Sequence, residues 1–362
     1  MAYQQVGTPR FYVDSISWLA SLGVNVAPDN DLYSFEYLGL NPSKQFEYDI
    51  PAQPATTAAY LLNQTHLPKV PLNFCAILGH NYAGQRIKIG MHIGSELQTY
   101  DTVWFQGSGS ETSVNSGTYS NGDADFIPEY NGFTIITFNE VLDKDIQKLH
   151  IYQPDDTGTN TGAWNSKTGS FCFGKYFDMP HSPDLSLTLS YDYSGIKHTT
   201  TLGGSSLSNN FYSKPPKWGD KLGAWELHNP DDGDPPNQDL SRSGRKVWDL
   251  SFSYLDDGDV FGANQLLSFT PGVDLNDDNY DGSIPSGDLK STTEFQYNLL
   301  TDNNFYSQVI HKTNGGQLPF LFQPNKDDPT NIVIARFDMS TFACKQVANG
   351  VYNIKVKIRE SW

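Results

Sequence analysis

Polar and apolar residues alternate most regularly in the last third of the chain. In "RKVWDLSFSYL", Trp248, Leu250, Phe252 and Tyr254 fall on one face, with Asp249, Ser251 and Ser253 on the other. That is the period of two expected of a half-buried strand. The closing "VYNIKVKIRE" puts Tyr352, Ile354, Val356 and Ile358 on one side and Asn353, Lys355, Lys357 and Arg359 on the other. Slipping this strand by one residue would bury its cations, so the pattern also sets the register. Between the two strands, "TDNNFYSQVIHKTNGG" changes period: Phe305, Tyr306, Val309 and Ile310 share a face at helical spacing. Asp302 or Thr301 is placed to cap the helix, Lys312 to meet its C-terminal dipole, and Gly315 and Gly316 to end it in a left-handed turn. "LPFLF" and "IVIARF" read as two further strands, giving the order strand, helix, strand, strand, strand.

The rest of the chain is also rich in strand patterns. "RFYVDSISWLASLG" reads as a strand running into a short helix stopped by Gly23, with Phe11, Trp18 and Leu22 available to dock on a neighbour. "GLNPSKQFEYDIPAQPATTA" reads as an extended connector, because its prolines suppress helix and remove ladder donors. The runs "NFCAILGHN", "QRIKIGMHIG", "FTIITFNEV" and "IQKLHIYQP" follow without intervening helices, as in a β-sandwich. After the segment "GSFCFGKYFDMPHSPDL", Leu185, Leu187, Leu189 and Tyr191 alternate with polar residues.

Composition sharpens this picture. Across 362 residues, abundant Tyr and Phe with dispersed Gly, Pro, Asn, Asp and Ser mark a mainly β protein with room for about two domains. A net charge of −17 argues against general affinity for nucleic acid; the acidity suits plain solubility, and it also suits a conduit that DNA must pass without sticking. Cys75, Cys172 and Cys344 are odd in number and widely spaced, so they imply small buried hydrophobes, not a disulfide framework or metal knuckle. No basic region followed by an apolar stretch opens the sequence, and no run is apolar and long enough for a membrane helix. The expectation is assembly in a cytoplasm without membrane insertion.

Several residues invite a chemical reading. Asp277, Asn279, Asp281, Gly282 and Asp288 match positions 1, 3, 5, 6 and 12 of an EF-hand-like calcium loop, but position 12 lacks Glu, Pro285 stiffens the loop and neither flank is helical. A solvated acidic loop is the expectation. His80 and His181 have no spaced partner of the kind a metal or nucleophile motif needs, and read as core or turn residues. "GSGS" and "LGGSS" lack the strand before and helix after that a nucleophile elbow or phosphate loop requires. Asp123, Asp125 and Glu129 are close in sequence, yet paired glycosidase carboxylates come from separate strands across a groove. Trp104, Phe105, Tyr119 and Tyr130 offer rings for sugar stacking, with sandwich core or subunit contact as the alternative. The Lys355, Lys357 and Arg359 stripe reads as a solvated face, or as one that pairs with an acidic loop of a neighbour. No catalytic, cofactor-binding or metal-binding residue is assigned, and no cofactor is expected.

Two resemblances organise these patterns. Residues 51–180, with "ILGHN", "LHIYQP" and the exit segment "GSFCFGKYFDMPHSPDL", resemble the galactose-binding-like jelly rolls embedded in tail proteins of long-tailed bacteriophages. Residues 181–362, with "WDLSFSYL", the helix ending in Gly-Gly, "LPFLFQP", "IVIARF" and "GVYNIKVKIRESW", are similar to the tube-forming domain of phage distal tail and minor tail proteins. The long acidic loop from Phe261 to Asp288 departs from that pattern. The resemblance implies an N-terminal arm over residues 1–50, a jelly-roll β-sandwich and a tail-tube-like β domain with one packed helix. It further implies a non-enzymatic virion protein: a subunit of a ring, usually sixfold in the family, that extends the tail tube and presents the jelly roll outward. Its partners would be copies of itself, other tail proteins (tube, hub and fibres) and host surface glycans, with DNA only passing through the lumen. The alternative functions are a carbohydrate-binding adhesin and, further off, a glycan-degrading tail enzyme. Trp248, Phe252, Phe320, Phe322, Ile354 and Ile358 are the expected core of the ring-forming half.

Overall fold

The computed structural model describes residues 7–22, 46–47, 59–63, 71–93, 101–104, 114–115, 125–141, 146–152, 166–192, 196–210, 245–261, 303–329 and 331–361. Strand β1 (Arg10–Asp14) leads into helix α1 (Ser15–Ser21), followed by β2 (Phe46–Glu47), β3 (Ala59–Asn63), β4 (Leu72–His80), β5 (Ile87–Ile93) and β6 (Asp101–Trp104). Next come β7 (Asp125–Phe126), β8 (Gly132–Val141), β9 (Ile146–Tyr152), β10 (Lys167–Thr168), β11 (Ser170–Asp178) and β12 (Thr188–Asp192). A hairpin of β13 (Ile196–Thr200) and β14 (Ser206–Asn210) precedes the long β15 (Arg245–Asp256) and the short helix α2 (Asp257–Val260). A π-helical turn (Tyr306–Ile310) passes into a 3-10 turn (His311–Thr313), and β16 (Phe320–Gln323), β17 (Val333–Phe337), β18 (Cys344–Ala348) and β19 (Val351–Glu360) complete the order.

The protein is mainly β, and every described strand pairing is antiparallel. Ten strands form one sheet in the order β12-β15-β19-β17-β16-β1-β11-β4-β8, with β18 also on β19, while β3-β9-β5-β6 and β7 form a second sheet. The large sheet runs through all three stretches distinguished in the sequence. Its centre is β1, which pairs Phe11 with both Phe322 and Phe177.

The neighbour on which Phe11 and Trp18 dock is the rest of their own chain. Both are buried within their own chain; of the three residues proposed for docking, only Leu22 is exposed. All five β1 residues are buried, as in a central strand covered on both faces, so its sequence shows no alternation. Phe11 meets Phe305 edge-on at 5.5 Å between ring centroids and lies 5.2 Å from Phe322, so the start of the chain fastens the helical turn to the sheet. Tyr12 points the other way, against Phe74.

Two apolar clusters occupy the two faces. One gathers Phe11, Val13, Trp248, Leu250, Phe252, Phe305, Phe320, Phe322, Val333, Ile354, Val356 and Ile358, and so contains all six residues expected to form this core. The other gathers Tyr12, Phe74, Ala76, Leu78, Phe133, Ile135, Leu321 and Ile334. Each fully buried large apolar side chain contributes about 1.5–3 kcal/mol relative to exposure.

Local departures have local causes. Tyr254 does not continue the buried face of β15. The pairing with β19 shifts between Phe252 and Leu255, Tyr254 takes φ 63° and is 79% exposed, and Leu255 fills the inner position instead. The segment around Phe305 is a π turn followed by a 3-10 turn, not a regular α-helix. Its start is held by Asn304, whose Oδ1 accepts from the Ser307 N–H at 2.9 Å; the expected caps Thr301 and Asp302 lie outside the described residues. Its end follows the expectation, with Asn314, Gly315 and Gly316 all at positive φ. Lys312 is at the expected end but buried, donating from Nζ to Gln308 Oε1 at 2.7 Å. Strand β18 was not anticipated; four of its five residues are exposed, so it carries no apolar face to announce it.

Candidate assembly interface

Among the described residues, exposed apolar side chains concentrate on the stretch entering β12 and on the β13–β14 hairpin. Leu185 and Leu202 are fully exposed, at 101% and 112% of the reference area, and Leu207 and Tyr191 are more than half and nearly half exposed. Leaving a leucine in water forfeits about 1.5–3 kcal/mol of burial. Here the backbone holds both fully exposed leucines in place. Next to Leu185, the Asp184 N–H donates to Ser251 O at 2.8 Å, and Asp184 Oδ2 accepts from Ser253 Oγ at 2.8 Å. Leu202 sits in a turn closed by Thr201 N to Ser205 O at 2.9 Å and Gly204 N to Thr201 O at 2.9 Å, with Gly204 at φ 83°. Thr201 Oγ1 adds two contacts, accepting from Ser205 N and donating to Ser205 O.

The hairpin pairs only with itself among the described residues, and from His198 to Ser208 every residue except Thr201 is exposed. Over residues 198–208 both of its faces are therefore open, apart from Thr201. "LGGSS" is its tip, joining strand to strand. Leu187 and Leu189 pack against the core, whereas Leu185 and Tyr191 do not, so only part of the expected alternation is buried. Strand β12 ends the large sheet; among the described residues it is paired on one side only, by β15. An edge of this kind offers free backbone groups to another strand.

The cationic stripe of β19 is met within its own chain. Lys355 Nζ lies 3.2 Å from Asp249, Lys357 Nζ 2.8 Å from Asp338, and Arg359 Nη2 2.5 Å from Asp192. Strands β15 and β12 and the loop after β17 thus supply counter-charges on a face that is solvated as expected, with Lys355 and Lys357 exposed. Exposed pairs of this kind contribute about 0–1 kcal/mol each.

Other candidate residues have structural settings. His80 is wholly buried: its Nε2 is 2.9 Å from Thr134 Oγ1, and its Nδ1 accepts from the Tyr82 N–H at 3.2 Å. This fixes the proton on Nε2, and burial lowers the pKa to about 3. Thr134 Oγ1 donates onward to Asn115 O at 3.0 Å. The Asn115 side chain donates to the carbonyls of Tyr130 and Phe133 and accepts from the N–H groups of Glu129 and Tyr130. Four bonds from one amide explain a non-glycine residue at φ 53°, and they place Glu129 and Tyr130 in a structural turn. Tyr130 packs on Phe133, and burial followed by the charge of Glu129 raises its pKa to about 12. His181 Nδ1 donates to Ser182 O at 2.7 Å.

Asp125 begins β7 and Trp104 ends β6. Asp123, Phe105, Tyr119, "GSGS" and the Asp277–Asp288 loop lie outside the described residues. Cys75 and Cys172 are buried thiols whose pKa values burial pushes up; Cys344 is half-buried, and all three are free. Among the described residues no three His, Cys, Asp or Glu side chains converge as a metal site, and no helix is long and apolar enough to cross a membrane.

No family model, curated protein or solved structure matches the chain. The fold is that of a mainly β protein with a large antiparallel sheet and a separate hairpin that exposes a leucine at its tip.

Proposed function

We propose that this chain is a structural subunit of a long-tailed bacteriophage tail, closing with copies of itself into a ring that extends the tail tube. Residues 181–362 provide the tube-forming part, and residues 51–180 form a galactose-binding-like jelly roll directed outward toward fibres or the host surface. The observation that carries the reading is the display of Leu202 on a rigid, hydrogen-bonded turn, with Leu185 beside the edge strand β12. A hairpin tip exposed over residues 202–208 gains burial when it lies on the next subunit. Repeated head to tail, one such contact closes a ring whenever the rotation per subunit divides the circle. The acidic balance of the chain suits a lumen that lets DNA through.

The test is light scattering on the purified full chain and on a Leu202→Asp, Leu207→Asp double variant. Both side chains are exposed, so the subunit fold should survive. The reading predicts a multiple of the chain mass that drops toward a single chain in the variant. An unchanged mass would remove the hairpin from the interface.

A further inference from the structure

The hairpin is not the only place where the described residues expose apolar side chains. A second is the corner where β15 meets the stretch entering β12. Asp184 donates its N–H to Ser251 O and accepts from Ser253 Oγ, each at 2.8 Å, so fully exposed Leu185 and largely exposed Tyr254 each adjoin a residue of this bonded group. Tyr254 faces solvent against its backbone preference. It occupies the bulge of β15 at φ 63°, held by the bond from its N–H to Asn353 Oδ1 at 3.0 Å. Bulges re-aim single side chains, and a strained residue whose ring its own chain leaves in water points to a contact made with something else.

Charge is divided between the two places. Residues 193–219, which include the hairpin, contain no Asp or Glu and carry Lys197, Lys214 and Lys217, in a chain of net charge −17. Residues 247–289, which include the bulge, contain no Lys or Arg and carry Asp256, Asp257 and Asp259 just beyond Tyr254. Lys345 of β18 sits opposite Asn353 on the other edge of β19, where it offsets at most one of these three charges. An apolar tip in a basic stretch and an apolar corner in an acidic one are complementary, as a head-to-tail contact between unlike patches requires.

We propose that the corner formed by Leu185 and Tyr254 receives the hairpin of a second copy of this chain, with Leu202 and Leu207 against the Tyr254 ring and the basic stretch toward Asp256, Asp257 and Asp259. Tyrosine suits the receiving position, because it offers a large, rigid apolar area at little cost in side-chain freedom. Packing hairpin on hairpin instead would leave the corner in water and set like charges against each other. The proposal rests on the reading of the hairpin as an interface and names the surface it meets.

Sedimentation of three purified proteins tests it: the full chain, the Leu202→Asp, Leu207→Asp variant, and a Leu185→Ser, Tyr254→Gly variant, each checked for retained strand signal by circular dichroism. All four altered side chains are exposed. Each variant lacks one side of every contact and should associate at least tenfold more weakly than the parent. Mixed in equal amounts, the two variants supply one intact hairpin and one intact corner, and should form pairs that grow no further. Association of the parent should weaken as salt is raised, and indifference to salt would overturn the charge pairing. Full association of the corner variant, or a mixture that forms no pairs, would overturn the corner as the receiver; loss of association in the hairpin variant alone would still leave the ring reading standing. A parent that stays a single chain at every concentration would overturn both the proposal and the ring.

Discussion

Arg10 grips Asp178 with both arms of its side chain, donating from Nε to Oδ1 at 2.5 Å and from Nη2 to Oδ2 at 2.8 Å. The two residues are 168 positions apart and pair directly across β1 and β11. Arg10 is nearly buried, and its guanidinium lies 4.0 Å from the centroid of the Tyr176 ring. Lysine can reproduce neither the fork nor the stacking. Arg10→Gln should cost about 1.5–3 kcal/mol in urea unfolding, the scale for losing hydrogen bonds to a charged group, and Arg10→Lys should recover less than half of it. Full recovery by lysine would show that charge alone matters.

Gly174 of β11 is paired with Asp14 of β1. A Cβ built there would stand 1.9 Å from Val13 O, a backbone atom that moves only if the pairing opens. Gly174→Ala should therefore destabilise by about 3 kcal/mol or more, beyond the usual cost of an added methyl group. Denaturant titration with the midpoint followed by tryptophan fluorescence checks this, and a loss below about 1 kcal/mol would contradict the close approach.

Tyr254 holds a left-handed backbone conformation that glycine adopts more easily, and its exposed ring contributes little burial. Its N–H donates to Asn353 Oδ1 at 3.0 Å, a bond that glycine keeps. Tyr254→Gly should be stabilising by about 0.5–1 kcal/mol, since relief of left-handed strain of about 1–2 kcal/mol outweighs the entropy cost of glycine. Tyr254→Val should be destabilising, and thermal unfolding of the pair gives the order.

Two buried groups titrate in opposing senses. Asp14 caps α1, accepting from Ile16 N, Ser17 N, Ser17 Oγ and Phe173 N, yet desolvation outweighs these bonds and raises its pKa from 3.8 to about 6. Between those values the folded state holds a proton that the unfolded state has lost, so this group makes stability fall as pH rises. For His80, lowered from 6.5 to about 3, the unfolded state holds the extra proton, and stability rises with pH over that window. From about pH 4 to 6 the two effects offset each other. Asp14→Asn removes one of them. Relative to the parent, the variant's stability should rise with pH across that window by up to about 1.4 kcal/mol per pH unit. Parallel stability curves for the two proteins would contradict the raised pKa.

Where sequence reasoning succeeded, one face of a strand meets the core and the other meets water. Residues 352–358 show this, and so does β15 up to Phe252. Beyond Phe252 a bulge changes which residue faces inward, and nothing in the side-chain pattern separates Tyr254 from its neighbours. The strand and helix of the opening segment are legible in "RFYVDSISWLASLG", but the place of β1 inside the large sheet is not: both of its faces are buried, so "RFYVD" does not alternate, and its partners β11 and β16 lie more than 150 residues away. The gathering of Arg245, Arg336 and Arg359 around one recess is hidden in the same way, since they converge only through the register of three strands. The calcium-like loop and two of the four ring-stacking candidates, Phe105 and Tyr119, fall outside the described residues.

Negative-stain imaging of the purified full chain tests assembly around a channel most directly. The account predicts closed rings with a central hole on the order of 20 Å or wider, enough for duplex DNA given its groove dimensions. A field of single, unassociated subunits at every protein concentration would contradict it.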